Sequence, residues 1–231
     1  MTTLIGFDTA TDDTAVAAVR DGEPLFSSSL QRPDGSRPLH ATRLLAEVEE
    51  AARAAGGWAS VDRIAVGVGP GSFTGLRIGI ATAKSLGQAL EIDLAAVGTL
   101  EALAGGAADR GRAVLALLDA RRGEVFASLR GPGGEAIWEP FVAAPPDVAR
   151  RVSELSQSPL AVGSGALRFR DELEKSGAEV ASGQDLAHRV DGLQVCATAQ
   201  TGAQPGPEPI APLYLRPPDA QRWHERDSRK S

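Results

Sequence analysis

Along its length the chain alternates between extended and helical patterning. Thr3–Asp8 is a short apolar run ending in an acid, Thr14–Arg20 alternates in part, and Pro24–Leu30 is a second apolar run. Arg20-Asp21-Gly22-Glu23 separates the last two. Asp-Gly between apolar runs marks a hairpin, because both central residues of a type I′ turn need positive φ. The spacing predicts a three-stranded meander. From Leu39 to Ala55, the residues Leu44, Leu45, Val48, Ala52 and Ala55 recur at helical intervals, and Gly56-Gly57 ends the element. Arg63–Val68 is almost continuously apolar and β-branched, the pattern of a strand covered on both faces. A glycine-rich turn and a second long helix, about Thr74–Leu90, come next.

The series then repeats. Ala113–Asp119 is again an apolar strand ending in Asp, Gly123–Arg130 is a second strand, Gly131-Pro132-Gly133-Gly134 is a turn and Ala136–Val142 is a third strand. Asp8 matches Asp119, and Val16–Val19 falls near Val125–Leu129. A helix, strand and helix follow at Asp147–Ser156, Pro159–Val162 and Leu167–Ser176, as they follow the first meander. The economical reading is α/β: two ribonuclease-H-like halves, internally duplicated. The expected division is 1–110 for the first lobe, 111–215 for a reduced second lobe and 216–231 for a frayed tail. Leu193–Gln200 reads as a helix, and Leu213-Tyr214-Leu215, set among prolines, as an edge strand.

The 231 residues carry 24 Lys and Arg against 30 Asp and Glu, a formal charge of −6. That balance argues against a direct nucleic-acid binder, since phosphate affinity comes from clustered basic residues. With 42% hydrophobic residues the chain has material for packed cores rather than for disorder. No apolar run approaches a membrane span and Met1–Asp8 lacks a basic leader region, so a cytoplasmic protein is expected. Cys196 is the single cysteine, so an internal disulfide is not available, and His40, His188 and His224 are too scattered for a local metal motif. His40 is expected on a helix face or interface. His188 and His224 are expected to be exposed, and Arg121-Arg122-Gly123-Glu124 to be a solvated turn.

The densest signal is Gly67-Val68-Gly69-Pro70-Gly71-Ser72-Phe73-Thr74-Gly75-Leu76-Arg77-Ile78-Gly79, between a buried-type strand and a helix. That context suits an anion, because a helix N-terminus presents free N–H groups. A Walker loop requires Gly-x-x-x-x-Gly-Lys, for which Lys84 comes too late, and a dinucleotide fingerprint requires glycine where Thr74 stands. The alternative is a tight turn packed under its own helix, with Ser72 or Thr74 as N-cap. Along that helix Gly75, Gly79, Ala83 and Gly87 recur every four residues. Such a ridge lets another backbone approach closely, either within the chain or across a subunit interface shared with the helix at Leu39–Ala55.

The run GPGSFTGLRIG, preceded by DRIAVGV, resembles the signature of the TsaB (YeaZ) family of bacterial tRNA threonylcarbamoyladenosine biosynthesis proteins. Supporting matches are IGFDTAT, HATRLLAEV, AVGTLEALA, LLDARRGEVF and PLYLR, which together span most of the chain. The resemblance implies a reduced, two-lobed member of the actin, Hsp70 and sugar-kinase (ASKHA) superfamily. It further implies a non-catalytic accessory subunit that binds and activates a TsaD-like threonylcarbamoyltransferase, works alongside a TsaE-like ATPase, and meets tRNA only through the complex. The catalytic relative holds a metal through a His-x-x-x-His pair. Thr99 and Leu103 take those positions here, and neither offers an imidazole nitrogen.

No catalytic, cofactor-binding or metal-binding residue is therefore assigned. The expected partner surface comprises Leu44, Val48, Gly75, Gly79, Ala83 and Gly87. On that reading Gly79→Leu leaves the fold soluble and blocks heterodimer formation, and the chain alone forms a homodimer through the same helices. Asp8 and Asp119 stand at strand ends where kinases of the superfamily hold metal-bound phosphate. Either they bind such a group, with Thr9 and Thr11 as donors, or they bond the turn amides of their own meanders. The rival reading is an ATP- or metal-dependent phosphotransferase or hydrolase using Asp8, Asp119 and the Gly67–Gly75 turn. A second rival is direct tRNA binding.

Overall fold

Thr3–Asp8 is buried at all six positions and forms β1, the middle strand of a five-stranded sheet. β2 (Thr14–Arg20) and β3 (Glu23–Leu30) continue the meander antiparallel to it. They turn at Asp21 and Gly22, both at positive φ as the Asp-Gly signal requires. α1 (His40–Ala54) then crosses to β4 (Arg63–Gly69), parallel to β1, and α2 (Phe73–Leu90) crosses to β5 (Asp93–Gly98), parallel to β4. α3 (Thr99–Gly105) follows. The computed structural model describes residues 1–32, 38–201 and 210–216. The expected tail beyond Arg216, with His224, lies outside the described residues.

The second half repeats the order. β6 (Val114–Asp119), β7 (Val125–Arg130) and β8 (Ala136–Ala143) form a meander, followed by α4 (Pro145–Ser153), β9 (Leu160–Val162), α5 (Ser164–Arg168), α6 (Arg170–Lys175) and β10 (Glu179–Val180). α7 (Gly192–Thr201) closes the series. The sheets run β3-β2-β1-β4-β5 and β8-β7-β6-β9-β10, with matching parallel and antiparallel pairings. β1 and β6 are thus equivalent central strands, and each ends in an aspartate. The helix expected at Leu167–Ser176 is two, parted at Phe169, whose φ of −115° and ψ of 31° leave the helical region. Leu213–Leu215, expected as an edge strand, has no strand geometry; only Leu213 N–H joins the sheet edge, donating to Val68 O at 2.7 Å.

Three apolar clusters set the layering. α1 and α2 cover the outer face of the first sheet, where Ile5, Phe7, Ile64 and Val66 meet Leu44, Val48, Ile80 and Ala83. α4, α5 and α6 cover the outer face of the second sheet through Val148, Val152, Ala166 and Leu173. Between the sheets lie α3 and α7, packed on each other. α3, which follows the first sheet, lies against β6 and β7, whereas α7, which follows the second, lies against β1 and β2. Cys196 on α7 is fully buried, 2.6 Å from where a Cβ on Gly6 would stand, and burial pushes its thiol up to about 12. It is a core residue, not a reactive one.

The small-residue ridge of α2 points inward. Gly75, Gly79, Ala83 and Gly87 are buried, as are Leu44 and Val48 on α1. A Cβ on Gly75 would collide with the Thr9 carbonyl oxygen, one on Gly79 with Thr9 Oγ1, and one on Gly87 would stand 2.8 Å from Leu94 Cδ2. The six residues expected on a partner surface therefore pack α1 and α2 onto the chain's own sheet. The expectation that Gly79→Leu spares the fold is corrected for the same reason. Close packing offsets the roughly 1 kcal/mol that each glycine costs inside a helix. The outward faces carry Leu45, 61% exposed, and the exposed Ala41, Ala81 and Lys84. No described helix is long and apolar enough to cross a membrane.

Candidate functional site

The loops that follow β1 and β6 wall a cleft of about 870 Å³ between the two halves. Asp12 and Asp13 come from the first loop, Asp119 from the end of β6 and Arg121 from the loop after it, and Ser72 and Phe73 from the start of α2. Asp8 lies beneath the cleft, 1% exposed. Its Oδ1 accepts from the Ala10 amide at 2.7 Å and its Oδ2 from Thr99 Oγ1 at 2.7 Å, while Thr99 Oγ1 accepts from the Gly69 amide at 3.1 Å. Burial raises the Asp8 carboxyl above the usual aspartate range, and the two hydrogen bonds oppose the shift. Any Cβ on Gly67 would strike this carboxylate, so glycine is required there.

Asp119 is likewise committed to its own half. Its Oδ1 accepts from the Arg121 amide at 2.9 Å, and Arg168 Nη1 on α5 donates to its Oδ2 at 2.6 Å. Both aspartates thus follow the turn-bonding reading of the sequence. Arg121 and Arg122 hold φ of 64° and 56°, a conformation uncommon outside glycine. Arg121 Nη2 lies 3.1 Å from Asp12 Oδ2, and Arg189 Nη1 lies 3.6 Å from Asp13 Oδ2. Two ion pairs therefore join the first half's loop to the second half across the cleft. Arg121, read from sequence as part of a solvated turn, is exposed but paired.

The glycine turn is an interlock. Ser72 caps α2, its Oγ accepting from the Gly75 amide at 3.2 Å, and its own amide donates to Ala10 O at 2.6 Å. Thr9 Oγ1 donates to Gly75 O at 2.8 Å. A Cβ on Gly71 or Gly75 would collide with the Thr9–Ala10 backbone. The run is the tight-turn alternative, bolted to the loop after β1. His40 holds that loop from the other side: Thr14 Oγ1 donates to Nδ1 at 2.7 Å and Nε2 donates to Thr11 O at 3.0 Å. Burial lowers the imidazole below its ordinary 6.5. His188, expected to be exposed, is buried at 7%: the Gly163 amide donates to its Nδ1 at 3.0 Å, and Nε2 faces Ser182 O at 2.9 Å. Among the described residues no group of three or more His, Cys, Asp or Glu side chains is placed to hold a metal ion.

The sequence pointed to Leu213–Leu215 at a sheet edge, but not to the wider strap that residues 210–216 form. Ile210 packs into the outer core of the first sheet. The Tyr214 ring lies 5.3 Å from that of Phe73 at 30°, and its hydroxyl accepts from Arg77 Nε at 3.4 Å. Arg77 stacks 3.9 Å over the Phe73 ring. Leu215 packs against the middle layer, and Arg216 Nη1 reaches Glu124 Oε2 in the second half at 2.7 Å. The PLYLR run and the apolar Leu213–Leu215 among prolines were its signals in the sequence.

A family model described as TsaD: tRNA N6-adenosine threonylcarbamoyltransferase matches residues 32–159. The tRNA threonylcarbamoyladenosine biosynthesis protein TsaB of Escherichia coli (strain K12) is 31% identical over 222 residues, covering 92% of this chain and 94% of that protein. The solved structure of YeaZ from Pseudomonas aeruginosa matches with a TM-score of 0.76 at 28% identity, over 93% of this chain and 100% of that one. A ROK hexokinase from Thermus thermophilus, at a TM-score of 0.50 and 12% identity, shares the two-lobed fold alone. With likeness in sequence and in structure each running over nearly the whole length, the chain belongs to the TsaB family.

Proposed function

We propose that the chain is a non-catalytic accessory subunit in tRNA threonylcarbamoyladenosine biosynthesis, binding a TsaD-type threonylcarbamoyltransferase and holding its active site in the competent state. The observation that carries this reading is the commitment of both strand-end aspartates to their own chain, Asp8 to Ala10 and Thr99 and Asp119 to Arg121 and Arg168. Leu103, at the second position of the relative's metal-binding pair, is fully buried and has no lone pair. The names of the relatives supply the pathway, and a tRNA target fits a cytoplasmic site of action.

A subunit without catalytic groups raises a rate only by biasing its partner's conformations or completing a shared pocket. In this reading the partner contacts the outward faces of α1 and α2 around Leu45, and the same faces pair two copies when the partner is absent. A TsaE-like ATPase completes the complex, and tRNA is met only through it. Reconstitution of the tRNA modification with and without this chain tests the proposal. Modified adenosine is expected to depend on the chain, whereas the chain alone hydrolyses no ATP. Turnover by the isolated, pure chain overturns it in favour of the phosphotransferase or hydrolase reading.

A further inference from the structure

A second cavity, of about 310 Å³, shares Leu213 and Leu215 of the strap with the cleft. Its other walls are Leu100 and Glu101 on α3, Arg130 at the end of β7, and Glu139 and Pro140 on β8. Arg130 Nε is buried and has no hydrogen-bond partner. The rest of the guanidinium is held in place: Nη2 lies 3.4 Å from Glu101 Oε1, and Nη1 donates to Gly134 O at 3.3 Å. Ser128 Oγ, two residues back on the same face of β7, is also buried and unpartnered. Buried donors in folded proteins are almost always paired, so the Arg130 N–H calls for an acceptor.

The charges narrow the choice of acceptor. One guanidinium faces two carboxylates, and Glu139 has no ion-pair partner among the described residues. A surplus of negative charge disfavours a phosphate and favours a ligand that brings its own cation. Leu100, Pro140, Leu213 and Leu215 offer an apolar wall. A small molecule with a carboxylate, an ammonium and a short aliphatic chain satisfies all three requirements, and convergent polar groups on an apolar wall are the usual design of a small-ligand site. We propose that this cavity binds a free aliphatic α-amino acid, its carboxylate on Arg130 and its ammonium between Glu101 and Glu139.

Calorimetric titration of the full-length protein tests this with four probes: L-leucine, 4-methylvalerate, isoamylamine and inorganic phosphate. L-leucine is expected to bind saturably with a dissociation constant of about 1 mM or below, and each compound lacking one charge about tenfold more weakly. Glu139→Gln, at an exposed position, is expected to weaken L-leucine about tenfold while leaving the unliganded melting temperature unchanged. Arg130→Lys keeps the charge but removes the Nε donor, and is expected to weaken L-leucine and 4-methylvalerate but not isoamylamine. No saturable heat with L-leucine, phosphate binding as tight as L-leucine, or unchanged L-leucine affinity in Glu139→Gln each overturns the proposal. None of these readouts depends on a partner subunit, so failure here leaves the accessory role to its own test.

Discussion

Thr99 donates its hydroxyl to Asp8 at 2.7 Å while accepting the Gly69 amide at 3.1 Å, and so ties the ends of β1 and β4 to the first turn of α3. All three residues are buried. Thr99→Val keeps the shape and leaves a buried carboxylate and a buried amide each short of a partner. A loss of about 2–4 kcal/mol is expected, read as a lower urea midpoint at constant slope. Thr99→Ser restores the hydroxyl and is expected to recover most of that loss.

His40 predicts an acid-side instability. Its folded-state pKa lies below the ordinary 6.5, so as pH falls below that value the unfolded chain takes up a proton that the folded chain refuses. The stability it contributes is complete above pH 6.5 and is lost as pH falls toward the lowered value, at no more than about 1.4 kcal/mol per pH unit. Melting temperatures recorded from about pH 8 to about pH 5 should show this slope in the native chain and a shallower one in His40→Gln. Identical profiles would remove His40 from the account.

Two substitutions on neighbouring helices separate packing from partner binding. Gly79→Leu drives a side chain into Thr9 and is expected to cost more than about 3 kcal/mol or to abolish soluble protein. Leu45→Glu, at a site 61% exposed, is expected to change stability by less than about 0.5 kcal/mol yet prevent co-elution with a TsaD-type partner. Co-elution of Leu45→Glu at native levels would move the contact off this face.

Across the cleft, the pairs Asp12–Arg121 and Asp13–Arg189 are partly exposed and each is worth less than about 1 kcal/mol. Asp12→Asn with Asp13→Asn is therefore expected to lower stability only slightly and to flatten the salt dependence of the melting temperature. A large loss would mean that the pairs, rather than the apolar layers, hold the halves together.

The strap gives the fifth stability test. Tyr214→Ala removes the ring contact with Phe73 and the bond from Arg77, and about 1 kcal/mol is expected. Ile210→Ala, which empties a buried site in the outer core, is expected to cost about 2–4 kcal/mol. Thermal melts of the two variants rank the contributions.

The duplication was legible because strand periodicity and the aspartate at each strand end repeat, and both signals are local. The Ser72 cap and the turn-bonding aspartates were legible for the same reason, since Asx and cap chemistry acts within a few residues. What periodicity does not carry is direction. The ridge Gly75, Gly79, Ala83 and Gly87 reads identically whether it meets a sheet or a second subunit, and the positions of Thr9 and Leu94 decide. His188 and the pairs joining Asp12 and Asp13 to Arg121 and Arg189 depend on residues from distant parts of the chain. No window along the sequence brings those together.

The crossing of α3 and α7 governs how the molecule comes apart. Each repeat wears a helix belonging to its twin, so severing the chain between the repeats would strip a cover from both sheets at once. The two copies are hostages to one another, and a single unfolding transition rather than two is the expected outcome of a thermal melt.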